Sequence, residues 1–257
     1  MVPQSRNERS AARIEHGMGR FAAFLLLALV AAPAGSQKLS DFAAPRPLPP
    51  GATLVIGFLG GWERWDDARR GVRRTVLHLR EGPGLYAESV ENHKRRRALD
   101  LIRDAFDTDG NGRLDAREAS AARVILFGQS LGGAAVVHTA RDLEKMGVPV
   151  LLTVQVDSVG RADALIPANV AAAVNFFQHE AWPLAGQAAI RAADPGRTRI
   201  LGNFEYRYKG RQFVFPGEPW RVLGGSHAKM EQDAGLWAVV ARHIRQAASP
   251  GPVSALR

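Results

Sequence analysis

The chain is predicted to be of the α/β class, with a mostly parallel sheet covered by helices on both faces. Two observations predict it. Mainly apolar runs, Thr53–Phe58 (TLVIGF), Val124–Phe127 (VILF) and Val150–Val156, alternate with segments of helical spacing. A strand apolar on both sides is buried on both sides, which is the condition of a parallel sheet between helix layers. Gly128-Gln129-Ser130-Leu131-Gly132 also stands between one such strand and a helix.

The remaining elements follow in order. Asp66–Leu79 has Val72, Val76 and Leu79 on one helical face, and Leu85–Val90 is a second strand. His93–Phe106 is a helix with Leu99, Ile102 and Phe106 at three-to-four spacing. Leu131–Met146 is a helix that Gly147 and Pro149 stop. Asn169–Phe177 fits a strand or a helix equally. Ile200–Phe215 alternates around Lys209-Gly210 and is expected to be a hairpin, followed by a short strand, Trp220–Leu223. Met230–Ala248 is the last helix, and residues 249–257 are expected to be a disordered tail. With 257 residues, 46% of them hydrophobic and 23% charged, the chain suits one large domain, placed at 51–248.

Ahead of that domain, Phe21–Ala32 (FAAFLLLALVAA) follows Arg13 and Arg20 and precedes Ala32-Pro33-Ala34. Positive, apolar, then small is the layout of a secretory signal, so 1–34 is expected to direct export and to be removed. The protein is then secreted or periplasmic. The run is short of the roughly 20 apolar residues that a membrane span needs, so no stable anchor is expected after cleavage. Met18-Gly19-Arg20 would make a tidier start than Met1. Residues 35–50 are Pro-rich and read as a linker. There is no cysteine, which excludes disulfides, thiol nucleophiles and cysteine-held zinc. The formal charge is +9. Its clusters, Arg69, Arg70, Arg73 and Arg74, then Lys94–Arg97, lie in predicted helices without stacking aromatics, so solvated helix faces are expected and no nucleic-acid partner.

The chemistry starts at Ser130. In Gly-x-Ser-x-Gly the serine stands on a sharp turn that points its hydroxyl out of the sheet, and the flanking glycines let strand and helix approach. The helix amino terminus offers N–H groups to an oxyanion. A serine nucleophile needs a base. Of seven histidines, His227 sits late, in Gly224-Gly225-Ser226-His227, read as a loop before the last helix. Over about residues 52–248 this arrangement resembles the α/β-hydrolase superfamily, and its lipases and esterases in particular. The resemblance implies the α/β-hydrolase fold and a triad in the order nucleophile, acid, histidine, with His227 as base. It implies Asp157, after the next strand, as the acid, with Glu180 or Glu205 as rivals one strand later; an Asp157 that only caps a turn is the other reading. It further implies an oxyanion hole from the N–H groups of Leu131 and Phe58, the latter because Gly57-Phe58-Leu59-Gly60-Gly61 resembles the family's His-Gly-Phe loop with Ile56 in place of His.

Residues 107–118 carry a second pattern. Asp107, Asp109, Asn111, Gly112, Asp115 and Glu118 match D-x-[DN]-x-[DN]-G-x₅-E throughout, and the loop resembles an EF-hand. Calcium is a hard ion that takes about 6–8 oxygens. Side chains of Asp107, Asp109 and Asn111, the Arg113 carbonyl, Asp115 and both oxygens of Glu118 would supply them. A single copy points to a structural ion rather than a sensor. The expected protein is a secreted serine hydrolase acting on lipid-like or other acyl esters, with structural Ca2+ and no organic cofactor. A thioesterase or amidase on the same fold, and a non-catalytic calcium-stabilised binding protein, are the alternatives. Phe176, Phe177 and Trp182, within 160–195, would suit an apolar acyl chain or a plain core.

Overall fold

Seven consecutive buried residues, Thr53–Leu59, form β1, an inner strand of the sheet. The structure, a computed structural model, describes residues 37–180 and 184–249. The expected leader (1–34), Trp182 and all of the expected tail beyond Ser249 lie outside these residues. In chain order β1 is followed by α1 (Gly71–Leu79), β2 (Leu85–Glu91), α2 (Arg95–Phe106), α3 (Ala116–Ala121), β3 (Val124–Gln129), α4 (Leu131–Lys145) and β4 (Val150–Val156). Then come β5 (Leu165–Ile166), β6 (Ala172–Phe177), β7 (Arg191–Ala192), β8 (Arg199–Glu205), α5 (Gly225–Gln232) and α6 (Ala234–Ala248).

Six strands pair in the order β2-β1-β3-β4-β6-β8, every neighbour parallel. β5 and β7 form a separate two-stranded parallel patch. Alternation along β1 divides the core. Leu54, Ile56 and Phe58 pack with Leu101 and Ile102 of α2 and Val136 and Val137 of α4. Val55 and Leu59 face the other way, toward Val72 and Val76 of α1 and Leu236, Val240 and Ile244 of α6. Helices therefore cover both faces, as expected of a parallel sheet. The chain leaves β1 toward β2 and returns to β3 on the other side. The crevice beyond the carboxyl ends of β1 and β3 is a topological switch point, where sheets of this class bind ligands.

Several expectations are corrected. Residues 37–50 are not a free linker where they are described. Phe42, Ala44 and Leu48 are buried, Gln37 Nε2 donates to the Ser89 carbonyl at 2.8 Å, and the Ala43 and Ala44 N–H groups donate to Glu88 Oε1. Proline content suggested a linker, but the apolar residues between the prolines dock on β2 and α2. The 200–215 hairpin does not form. Lys209-Gly210 does turn, yet Arg199–Glu205 pairs in parallel with β6, and Tyr208 is buried with its hydroxyl donating to Asp233 Oδ2 at 3.0 Å. Pro219–Gly224 is a 3₁₀ turn rather than a strand. The last helix is two helices, split at Asp233, whose carboxylate accepts from the Gly235 and Leu236 N–H groups as an N-cap. Phe176 is core: it stacks on Phe204 at 5.6 Å between ring centres. The Arg69–Arg74 cluster is not a solvated face either, since Arg70 is buried among carboxylates. Charge counting along a helix does not reveal partners contributed from 148 residues away, as Glu218 is.

Candidate active site

Ser130 directly follows β3 and precedes α4, with φ 58° and ψ −124°. A non-glycine residue there is strained, and the neighbours hold it. Its N–H donates to the Val156 carbonyl at 2.9 Å, tying the turn to β4. Beneath it, Gly132 lies so close to β1 that a Cβ would sit 2.1 Å from the Phe58 carbonyl oxygen. Only a residue with no side chain lets α4 begin this near the strand. Leu131 is the first residue of α4, so its N–H has no partner within the helix and is open to an anion.

His227 comes from the first turn of α5, not from a loop. Its Nε2 lies 3.0 Å from Ser130 Oγ, and its Nδ1 lies 2.6 Å from Asp157 Oδ2. Asp157 directly follows β4 and is fully buried, with φ 46°. Its N–H donates to the Phe176 carbonyl at 2.7 Å. Gln178, just past β6, donates to it twice: backbone N–H to Oδ1 at 3.2 Å and Nε2 to Oδ2 at 2.9 Å. A buried carboxylate without such donors would be costly. Sequence reasoning missed Gln178, and no local signal could have found it 21 residues from the acid that it serves.

The structure brings Ser130, His227 and Asp157 together and keeps both rival acids away from the imidazole. Glu180 accepts from the Tyr208 and Lys209 N–H groups and from Ser226 Oγ at 2.8 Å. Those hydrogen bonds outweigh its loss of hydration and hold its carboxyl below the usual range. Glu205 is paired with Arg207 at the surface. Phe58 is placed differently from the expectation. It lies inside β1, in register with Val90 and Gly128, so its backbone belongs to the sheet. The residue of that segment facing the nucleophile is Gly60, where a Cβ would lie 3.0 Å from Ser130 Cβ. The strand runs one residue longer than expected, to Leu59, and the loop-side wall of the site shifts with it.

Between α2 and α3, oxygens of Asp107, Asp109 and Glu118 lie within 4.8 Å of one another. Asp107 accepts from the Gly110, Asn111 and Gly112 N–H groups, and Gly112 takes φ +80° to bring its N–H round. Asn111 Oδ1 accepts from the Arg113 N–H at 2.9 Å. Asp115 caps α3, its Oδ1 accepting from the Glu118 N–H, while Glu118 Oε2 accepts from the Asp115 N–H. Donation from the Thr108 hydroxyl and backbone also holds the Glu118 carboxyl below its usual range. The donor set is all oxygen, which fits a hard cation.

A cavity of about 480 Å³ between Gly147–Pro149 and Ala168–Ala171 opens at the amino-terminal end of the sheet and does not touch the triad.

No protein-family model matches the chain, and no curated protein matches it in sequence. Solved structures do. A cutinase-like protein from Cryptococcus sp. is 11% identical over 78% of this chain and 97% of that one, with a TM-score of 0.43. Dienelactone hydrolase from Anabaena variabilis is 14% identical over 77% and 86%, with a TM-score of 0.41. The RedJ thioesterase of Streptomyces coelicolor is 14% identical over 94% and 99%, with a TM-score of 0.36. Likenesses this distant carry nothing about chemistry, which rests on the residues of this chain.

Proposed function

We propose that the protein is a serine hydrolase that cleaves acyl esters through Ser130, His227 and Asp157. One observation carries the reading: an unbroken hydrogen-bonded relay of 2.6 and 3.0 Å from a buried carboxylate to a serine hydroxyl held in a strained turn. In the reaction Ser130 Oγ attacks the ester carbonyl carbon while His227 Nε2 takes its proton. Asp157 keeps the other imidazole proton on Nδ1 and stabilises the imidazolium that forms. The Leu131 N–H faces the developing oxyanion. The imidazolium then protonates the leaving alkoxide, and water repeats the sequence on the acyl-enzyme.

An apolar acyl group suits the surroundings. Trp62, two residues past Gly60, is 57% exposed; Val222 and Leu223, which lead into the His227 helix, are 58% and 83% exposed. These are large apolar side chains left in water on the two segments that flank Ser130. A fluorophosphonate probe, with the adduct located by peptide mass spectrometry, tests the reading. Modification of Ser130 alone is expected, slowed by excess p-nitrophenyl butyrate present in the same mixture. An unmodified Ser130 in folded protein would sink the proposal and favour a binding protein.

The 107–118 loop is proposed as a structural calcium site held by Asp107, Asp109, Asn111, the Arg113 carbonyl, Asp115 and Glu118. When bound, the ion neutralises carboxylates that otherwise repel one another, in a loop two helical turns upstream of β3. Even a weak site, with Kd about 10⁻⁴–10⁻³ M, would gain about 1.4–2.7 kcal/mol at 10 mM calcium. For a domain of this size that raises Tm by roughly 3–10 °C. Calorimetry with 10 mM calcium and with excess EGTA measures it. Equal Tm in both, or an equal rise in Glu118→Gln, would count against the site.

A further inference from the structure

A group of charged residues beside the triad is not used by the chemistry above, and Glu63 is its centre. Glu63 lies in the turn after β1, and its side chain is only 15% exposed. Oε2 accepts from the Gly60 N–H at 3.1 Å, and Gly60 is the residue packed against Ser130. Oε1 accepts from both terminal nitrogens of Arg221 at 3.2 Å. Arg221 belongs to the 3₁₀ turn that leads into α5 and also pairs closely with Glu231, one turn beyond His227 on that helix. Arg70, at the start of α1, lies 3.7 Å from Glu63 and 3.9 Å from Glu231. One carboxylate thus touches the turn facing the nucleophile on one side and the segment that carries the base on the other.

We propose that Glu63 is a positioning residue that clamps the turn opposite Ser130 to the helix bearing His227. The inference rests on the serine-hydrolase reading. The turn at Gly60 and the helix bearing His227 come from distant parts of the chain, and Glu63 joins them through the Gly60 N–H and Arg221. Holding two reacting groups in line is worth large factors in rate, and a displacement of about 1 Å can cost on the order of 100-fold. A carboxylate suits the task because both its oxygens accept, one from a backbone N–H and one from a guanidinium. Glutamine has the same shape but must turn an NH₂ toward one of those donors, so one side of the clamp is lost.

The same geometry has a pH signature. Loss of hydration pushes the Glu63 carboxyl up to about 7, against the pull of Arg70, the Gly60 N–H and His227, with Asp67 adding to the rise. Arg221 and Glu231 also face it, and Glu218 pairs with Arg70 from behind. Protonation of Glu63 weakens its hold on Arg221. The fully active form then has Glu63 ionised. A second proton taken up on the acid limb makes the rate fall with a log–log slope above one where Glu63 titrates, whereas a single protonation at the base gives a slope of one throughout.

The test compares the wild type with Glu63→Gln, using the pH profile of fluorophosphonate modification of Ser130 and the steady-state hydrolysis of p-nitrophenyl butyrate. Expected are a fall in kcat of about 10–100-fold with KM within roughly twofold. The steepest part of the acid limb should drop from a slope above one in the wild type to a slope of one in Glu63→Gln. A purely structural Glu63 would lower Tm and leave the kcat of the folded enzyme and the acid slope unchanged; that result overturns the inference. If Glu63→Gln fails to fold, the wild-type profile decides: a slope above one over part of the acid limb supports the clamp and a slope of one throughout overturns it. An unmodified wild-type Ser130 overturns the hydrolase reading itself, and the inference with it, and is distinct from every result above.

Discussion

Asp157→Asn should lower kcat for ester hydrolysis by about 10⁴-fold while leaving the protein folded. The reason lies in which hydrogen bonds can move. Asp157 Oδ1 accepts from the backbone N–H of Gln178, which is fixed by the end of β6. With the asparagine oxygen kept on that N–H, its NH₂ takes the place of Oδ2 and points at His227 Nδ1, and Gln178 Nε2, which donates to Oδ2 at 2.9 Å, turns aside. An NH₂ donating to Nδ1 forces the imidazole proton onto Nε2, the atom 3.0 Å from Ser130 Oγ. A protonated Nε2 cannot accept the serine proton, and the imidazolium loses the charge that stabilises it. Saturating p-nitrophenyl butyrate and a melting curve measure both halves of the expectation. Glu180→Gln is the comparison, because Glu180 reaches Ser226 and the 208–209 backbone but not the imidazole. A loss under tenfold in Asp157→Asn, or a greater loss in Glu180→Gln, would mean that another group orients His227.

Gly132→Ala is expected to damage stability and activity together. The new Cβ would lie 2.1 Å from the Phe58 oxygen, 2.7 Å from the Phe58 carbonyl carbon and 2.8 Å from the Leu59 oxygen. These are backbone atoms of a strand laddered on both sides, so no side-chain rotation relieves the contact. Elsewhere in a helix, alanine gains about 1 kcal/mol over glycine. Overpacking against a fixed backbone costs more, so a net loss of about 2 kcal/mol is expected, seen as a Tm lower by roughly 4–8 °C. Any relief must come from α4 backing away from β1, which carries the Leu131 N–H and Ser130 with it. On that account kcat falls by on the order of 100-fold even in the folded fraction. A variant with unchanged Tm and kcat would show that the close approach is not needed.

Much of the frame was legible because it is encoded locally. Val124–Phe127 is apolar at every position, which only a strand covered on both sides tolerates. The elbow announces itself in five residues because its constraint, a sharp turn with no room for Cβ atoms, acts within five residues. The errors fall where the local pattern was shared by two outcomes. Alternating aromatics in 200–215 satisfy a hairpin and also a parallel edge strand, and pairing with β6 chose the second. Phe42, Ala44 and Leu48 are too few among prolines to show a period, yet they fill space against β2 and α2.

Taken alone, the sequence determined the strands and helices from β1 to β4 that frame the elbow, the alternation that makes the sheet parallel, the turn that presents Ser130, and an all-oxygen loop at 107–118. These are short-range matters of period, backbone freedom and donor chemistry. Only the tertiary structure decided which carboxylate serves His227, since Asp157, Glu180 and Glu205 all stand at or just past strand ends and differ in where their partners fold. It alone decided that Gln178 supports the acid, that Gly60 rather than Phe58 faces the nucleophile, and that Arg70 and Arg221 are gathered around Glu63 rather than left in water. Each of those outcomes depends on groups tens of residues apart meeting at the end of one sheet, and side-chain charge or spacing along the chain carries no record of such meetings.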